Sequence, residues 1–217
     1  METINSERAY DASFKTPFRM ILAGPSGSGK TTWVYNFLKE CDKIMDVNPA
    51  KIIIYYSLWQ PLYDEMNELG KNISFRKKMP SAEDIEGLAT YASIGGTLVI
   101  IDDQALSVNR DTAKIFTGVS RHSKVSIIFL TQNFFMKNVF SRDVSLQATY
   151  IVLFKNPRDQ TTMKHLAQQI LPNNKKFVSL AHEHAVKTPY SYFLIDLHQQ
   201  TNDAIRFRTN VLSLIHI

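Results

Sequence analysis

The sequence predicts an α/β protein in which helices cover both faces of a mostly parallel sheet. Short β-branched runs alternate with helical stretches along the 217 residues. The runs are apolar without alternation, which is typical of strands buried on both faces of a parallel sheet. No repeat or break in composition separates two units. We therefore expect one domain over residues 1–217, with an N-terminal extension at 1–16 and a C-terminal tail at 210–217.

Each element of this sheet has its own local signal. Apolar runs predict strands at residues 19–23, 51–56, 97–101, 125–130 and 149–154. Helices are expected at 30–40, at 81–93 after a Ser-Ala-Glu-Asp capping signal, and from 156–157 to about 171–172. Two later runs, 190–197 and 204–209, are predicted to add edge strands. The apolar tail at 211–217 either covers that sheet edge or docks on another protein.

Composition indicates the cellular compartment of the protein but says little about its function. The single cysteine, Cys41, has no internal disulfide partner. The first residues carry acids and no apolar stretch, so they do not form a signal peptide, and no apolar run is long enough to span a membrane. A reducing, intracellular compartment is therefore expected. The net charge of +5 fits a polyanionic partner, but many proteins without one are as basic.

The most specific motif is a phosphate loop at residues 24–31, which matches G-x-x-x-x-G-K-[ST] completely. It follows a predicted strand and opens a predicted helix, as this motif requires. Its backbone N–H groups and the helix N-terminus would bind phosphate oxygens. Lys30 would reach the β- and γ-phosphates of ATP, and the Thr31 hydroxyl would ligate Mg²⁺. The predicted nucleotide-binding residues are Gly24, Pro25, Ser26, Gly27, Ser28, Gly29, Lys30, Thr31 and Thr32.

Two further strands end in polar residues that suit nucleotide hydrolysis. The strand at 97–101 is followed by Asp102, a predicted holder of Mg²⁺ through water, and by Asp103, a predicted base for the attacking water. The strand at 125–130 is followed by Gln132, which we expect to contact the γ-phosphate or orient the water. Thr131 and Asn133 are alternatives for that role. An extra strand between the two site strands is a feature of one class of P-loop ATPases.

These motifs together resemble the HerA/FtsK superfamily, and within it the viral genome-packaging ATPases of poxvirus-like viruses, adintoviruses and Polinton elements. The resemblance extends over nearly the whole chain. It rests on the phosphate loop, Asp102-Asp103, Arg121-His122 before a strand and Thr131-Gln132 after it, together with 155–159 and the segments 189–197 and 206–209. It implies a three-layer α/β/α P-loop fold of the additional-strand, RecA/FtsK-like type.

The resemblance also implies partners. Such ATPases form rings around double-stranded DNA, pump it into a preformed capsid at viral assembly sites and supply an arginine to the neighbouring subunit's ATP. Arg121 is the candidate for that finger, because an always-charged planar guanidinium can neutralise charge on the transferred phosphoryl group. Arg110 and Arg142 are the alternatives. Self-association as a pentamer or hexamer and contacts with capsid proteins are expected on the same ground.

Weaker patterns carry less information. The basic runs Arg76-Lys77-Lys78 and Lys175-Lys176 are candidates for contacts with DNA phosphates, although short runs usually form solvated surface. His182-Glu183-His184 lacks the spacing of a zinc motif, so we expect no metal there.

Three other functions compete with DNA packaging. A nucleotide or nucleoside kinase would suit the length, but no arginine-rich lid segment is visible. A GTPase switch would need an Asn-Lys-x-Asp motif, and residues 174–177 read Asn-Lys-Lys-Phe. A helicase or cellular DNA pump of the same superfamily usually carries an extra domain, which the sequence does not indicate.

Overall fold

The computed structural model describes residues 11–102, 113–134, 144–159 and 161–209, and these form one eight-stranded sheet with helices on both sides. The strand order is β3-β2-β4-β5-β1-β6-β7-β8. The strands are β1 (Arg19–Ala23), β2 (Lys51–Tyr55), β3 (Ile73–Arg76), β4 (Thr97–Ile101), β5 (Val125–Thr131), β6 (Tyr150–Phe154), β7 (Tyr192–Asp196) and β8 (Phe207–Arg208).

The topology confirms the predicted fold class. The six strands from β3 to β6 pair in parallel, whereas β7 and β8 are antiparallel additions at one edge. Strand β5 lies between β1 and β4, so an extra strand separates the phosphate loop from the acidic strand end. Ala23 pairs with Thr131, and Ile101 pairs with Phe129, which brings the three strand ends to the same edge of the sheet.

Both faces of the sheet are buried, which explains why the strands lack alternation. In β1, Ile21 and Ala23 belong to one apolar cluster and Met20 and Leu22 to another. The second cluster packs against α1 (Lys30–Ile44) and α2 (Leu62–Asn67). The first packs against the helices on the opposite face: α3 (Ala82–Glu86), a 3₁₀ segment Gly87–Ile94, a π-helical turn Ile115–Val119 continuing into α4 (Ser120–His122), α5 (Thr161–Ile170) and α6 (Lys175–Ala185).

Several boundaries differ from the sequence prediction for local reasons. Ser81 does form a capping box with Asp84, but the helix tightens to 3₁₀ after Glu86. The helix expected from 156–157 begins at Thr161, because the Asp159 carboxylate accepts a hydrogen bond from the Thr162 N–H at the start of that helix. Only two residues of the run at 204–209 pair as a strand, after a 3₁₀ turn Asp203–Ile205.

No helix in the described ranges is long and apolar enough to cross a membrane.

A buried ion pair fastens the two antiparallel strands to the start of the chain. Arg208 is fully buried, and its Nη2 donates to Asp196 Oδ2 at 2.5 Å. Its Nε donates to the Ile205 carbonyl at 3.0 Å and its Nη1 to the Ala12 carbonyl at 2.7 Å. Removing one partner of such a pair leaves an uncompensated buried charge.

We therefore expect Arg208→Met to lower the free energy of unfolding by about 3–5 kcal/mol, although methionine nearly preserves the side-chain volume. Urea unfolding followed by circular dichroism measures the change. The control is Lys43→Ala, which removes an exposed ion pair with Glu40 and should leave the midpoint unchanged. A loss below about 1 kcal/mol for Arg208→Met would contradict this account of the edge.

Candidate active site

The phosphate loop connects the end of β1 to the start of α1. The Gly24 N–H donates to the Thr131 carbonyl at 3.1 Å, which continues the β1–β5 pairing into the loop. Gly29 precedes the helix with φ 96° and ψ 14°, a left-handed backbone conformation that residues other than glycine rarely adopt. The helix then begins at Lys30 with its first N–H groups directed toward the loop. The sequence thus folds here into a turn suited to binding an anion.

Two polar side chains of the loop are candidates for contacts with such an anion. Lys30 Nζ donates to the carbonyls of Gly24 at 2.7 Å and Pro25 at 3.0 Å. The Ser28 hydroxyl is buried and has no hydrogen-bond partner among the described residues. Because a buried hydroxyl without a partner is unfavourable, a ligand oxygen that reached Ser28 would complete its hydrogen bonding.

Asp102 lies directly against the phosphate loop. Its side chain is 4% exposed, and Oδ2 accepts hydrogen bonds from Thr31 Oγ1 at 3.2 Å and Tyr63 Oη at 2.8 Å. The predicted pair Thr31 and Asp102 is therefore brought together across 71 residues of sequence. Tyr63 is a neighbour that sequence reasoning missed, because the short helix α2 that carries it was not predicted.

An open cavity of about 870 Å³ extends over the loop. Its lining includes Ser26, Gly27, Gly29, Lys30, Thr31 and Thr32 of the predicted nucleotide site, together with Asp102, Thr131 and Gln132. The remaining lining residues are Trp33, Asn36, Gln60, Pro61, Leu62, Glu65, Leu130, Phe154, Tyr190 and Tyr192. The volume lies in the range typical of small-molecule sites.

The three candidates after β5 differ in their surroundings. Thr131 is buried, and its hydroxyl donates to the Asn133 carbonyl at 2.9 Å within the turn itself. Gln132 is exposed and lines the cavity, whereas Asn133 does not line it. Of the three residues, Gln132 is the one that is both exposed and part of the cavity lining beside the phosphate loop.

Four of the predicted site residues lie wholly or partly outside the described residues. Asp103, Arg110 and Arg142 lie outside the described residues. Arg121 belongs to α4, which precedes β5, and only its backbone is described. Because the seven residues of β5 span about 20 Å, the Arg121 backbone lies far from the strand end that carries Gln132.

The weaker sequence patterns have structural surroundings of their own. Arg76 and Lys78 lie 3.9 and 3.7 Å from the Asp84 carboxylate. Lys175 and Lys176 are exposed at the start of α6. His182, on the same helix, packs edge-on against Phe193, and burial lowers the pKa of its imidazole to about 4. Within the described ranges, no group of three or more histidine, cysteine, aspartate or glutamate side chains is arranged to hold a metal ion.

Gly24 gives a direct test of how closely this loop is packed. A Cβ on Gly24 would lie 2.7 Å from Phe154 Cβ and 2.8 Å from Ser28 Oγ. The Ser28 hydroxyl can rotate away, but Phe154 Cβ is fixed by its own backbone in β6. We therefore expect Gly24→Ala to displace the loop, weaken nucleotide binding at least ten-fold and destabilise the fold by about 1–3 kcal/mol. Calorimetric titration with ATP and thermal unfolding measure both effects.

The matched control for this prediction is Gly87→Ala, since a Cβ at Gly87 meets nothing within 4 Å. That variant should bind nucleotide like the unmodified chain. Unchanged nucleotide affinity in Gly24→Ala would show that the loop has more room than its contacts indicate.

Two solved structures are similar to this chain in fold. The genome-packaging NTPase B204 from Sulfolobus turreted icosahedral virus 2, solved with ATP-γS, superimposes with a TM-score of 0.56 at 18% identity, covering 85% of this chain and 95% of that chain. B204 from Sulfolobus turreted icosahedral virus, described as the DNA-packaging ATPase, gives a TM-score of 0.57 at 16% identity, covering 87% and 96%. These two similarities show a shared fold.

A comparison of the sequence with family models identifies the family. No curated protein matches the chain significantly. The family model described as Poxvirus A32 protein matches residues 5–182, which include the phosphate loop, Asp102 and the turn after β5. Because this match spans most of the chain, the protein belongs to the Poxvirus A32 protein family.

Proposed function

We infer that this chain is a viral DNA-packaging ATPase. The observation that carries the inference is the convergence of a complete phosphate loop with a buried carboxylate, in which Thr31 Oγ1 lies 3.2 Å from Asp102 Oδ2 beside an open cavity. Family membership and the fold shared with the B204 packaging enzymes support the same conclusion. The substrate is ATP, and the products are ADP and phosphate.

The loop residues bind the triphosphate. Lys30 exchanges its contacts with the Gly24 and Pro25 carbonyls for β- and γ-phosphate oxygens, and Ser28 gains the hydrogen-bond partner that it lacks. Backbone N–H groups at the start of α1 add partial positive charge. The aligned donors fix the position of the phosphates. Positioning and charge stabilisation together account for most of the catalysis of phosphoryl transfer by proteins.

Thr31 and Asp102 are the residues that would hold Mg²⁺. Both present oxygen atoms, the ligand type that this ion prefers, and they are already adjacent. When bound, the ion neutralises charge that develops on the phosphate oxygens. Tyr63 keeps the Asp102 carboxylate oriented through its 2.8 Å hydrogen bond, so the acid does not need to reorganise when nucleotide enters.

Hydrolysis needs a base and a group that orients the attacking water. We assign the base to Asp103, which directly follows Asp102, and the orienting group to Gln132, which is exposed at the cavity. Asp102 is less suited to the role of base because two donors already occupy one of its oxygens.

We further propose that the chain assembles into a ring around double-stranded DNA, with Arg121 acting on the nucleotide of the neighbouring subunit. Two facts support a role in trans. Arg121 lies before β5, whereas the phosphate loop lies at the carboxyl ends of the strands. A distance of about 20 Å along β5 exceeds the reach of one arginine side chain to its own site. Capsid proteins at sites of viral assembly are the remaining partners in this proposal.

The proposed function is tested by phosphate release from ATP in Mg²⁺, with and without long double-stranded DNA. We expect DNA to stimulate release, and Lys30→Ala to reduce it by about 10²-fold or more because the loop loses its cation. The control is Lys39→Ala, which removes an exposed lysine from the same helix and should leave release unchanged. Phosphate transferred to a nucleoside acceptor instead of released would show a kinase.

The arginine in trans is tested by mixing inactive variants. Arg121→Ala should bind ATP normally but lose DNA-stimulated hydrolysis, since such a finger contributes about 10³- to 10⁵-fold in rate. Mixing it with Lys30→Ala should restore part of the activity, because some interfaces then combine an intact loop with an intact arginine. The control is His122→Ala, the exposed neighbour on α4.

Two results would count against the role of Arg121 in trans. The first is a mixture that stays inactive although light scattering shows mixed assemblies. The second is full activity of the single variant, which would move the role to Arg110 or Arg142.

A further inference from the structure

The cavity over the phosphate loop continues past the loop onto an aromatic surface. This surface consists of Trp33 on α1, Tyr190, Tyr192 on β7 and Phe154 on β6, all of which line the cavity. Asp102 follows β4, and the strand order β4-β5-β1-β6-β7 puts β1 between that acid and the aromatic surface. The phosphate loop follows β1. A nucleotide with its γ-phosphate near Asp102 therefore extends its base toward the aromatic surface.

Tyr190 has a backbone conformation that tyrosine rarely adopts. It occupies the third position of a turn closed by a hydrogen bond from the Ser191 N–H to the Thr188 carbonyl at 3.3 Å, and its φ is 63°. That position of a turn with positive φ normally carries glycine or asparagine. The side chain is also 73% exposed, so its ring contributes little to the core. Strain without burial is a signature of a functional position.

The ring of Tyr190 stands beside the phosphate loop. A Cβ built on Gly29 would lie 3.5 Å from Tyr190 Cδ1 and 3.7 Å from its Cβ. Gly29 is the last loop residue before Lys30. The strained turn thus holds an open aromatic face next to the point where α1 begins.

Trp33 provides a second, independent observation. Its side chain is 6% exposed and packs against Phe37 and Tyr192 with ring centroids 5.2 and 5.9 Å apart. Its indole Nε1–H is buried and has no acceptor among the described residues. A buried N–H donor without an acceptor is unfavourable in the protein alone, and it becomes favourable when a ligand supplies a ring nitrogen or carbonyl.

We propose that Tyr190, Trp33 and Asn36 form a subsite for the purine base of the nucleotide, an inference that rests on the proposed function of the phosphate loop. Tyr190 stacks on the base, and the Trp33 indole donates to a purine ring nitrogen. Asn36 is exposed one helical turn after Trp33 and offers an amide donor and acceptor to the edge of the base. Stacking area favours purines over pyrimidines, and an amide that can flip accepts adenine and guanine alike.

The experiment separates the base from the phosphates. Calorimetry in Mg²⁺ compares ATP, CTP and inorganic tripolyphosphate on the unmodified chain and on Tyr190→Gly. Glycine adopts the positive φ freely, so this variant should be at least as stable to heat as the unmodified chain. We expect its Kd for ATP to rise by about five- to 150-fold, the range for loss of one base–aromatic stack, with the tripolyphosphate Kd unchanged.

Two conservative variants complete the design. Tyr190→Phe keeps the ring and should bind ATP like the unmodified chain. Trp33→Phe keeps a ring in the core but removes the N–H donor, so it should weaken ATP and leave tripolyphosphate unaffected. The unmodified chain should bind ATP more tightly than CTP.

The outcomes distinguish this proposal from the proposed function. If the unmodified chain binds tripolyphosphate as tightly as ATP, the phosphate site stands and the base subsite is overturned. Equal losses for ATP and tripolyphosphate in Tyr190→Gly would also overturn it, since the ring would then only shape the loop. If neither ligand binds the unmodified chain, the assignment of the phosphate loop fails, and the base subsite fails with it.

Discussion

The site depends on the hydrogen bonding of β1, which pairs with β5 on one side and β6 on the other. The bond from the Gly24 N–H to the Thr131 carbonyl extends that pairing beyond the strand, so the first loop residue is fixed to the neighbouring strand end. Phe154 at the end of β6 closes in from the other side, close enough to exclude a side chain on Gly24. The loop is therefore held between two strands, and the position of its donors follows from the sheet rather than from the loop sequence alone.

The same constraint determines which residues meet beside the phosphate loop. Parallel strands present their carboxyl ends at one edge, and the register of β4 and β5 sets Asp102 and Gln132 at that edge. Tyr63 reaches Asp102 from α2, on the face that also carries α1. Thr31 at the start of α1 and Tyr63 on α2 therefore both donate hydrogen bonds to the Asp102 carboxylate. Under the proposed function, a displacement of Asp102 on nucleotide binding would be transmitted to α2 through this hydrogen bond.

Sequence reasoning predicted most of the sheet and the phosphate loop because both have strong local signals. Buried parallel strands read as continuous apolar runs, and the loop has a fixed spacing of glycine, lysine and threonine. Strand β3 was missed because it is an edge strand with partly exposed residues and no apolar run. Helix α6 was missed because its sequence signals are weak. It begins with the charged residues Lys175 and Lys176 without a side-chain cap, and its buried residues are only Val178, Ala181 and Ala185. The contact of Tyr63 with Asp102 has no sequence motif, since it joins distant parts of the chain. Tyr190 lies in the run 190–197, whose pattern predicts a strand, whereas the structure places Tyr190 in a turn before β7.

The two ends of the sheet leave little backbone exposed for pairing with another chain. Strand β8 contains two residues, and β3 contains four and ends in a charged side chain paired with Asp84. Short and charged edges of this kind oppose the joining of sheets from separate molecules. In the proposed ring, contacts between copies would therefore involve helices and loops, whose side-chain contacts can be remade with each round of hydrolysis. A continuous intermolecular sheet, by contrast, would lock neighbouring molecules in one orientation.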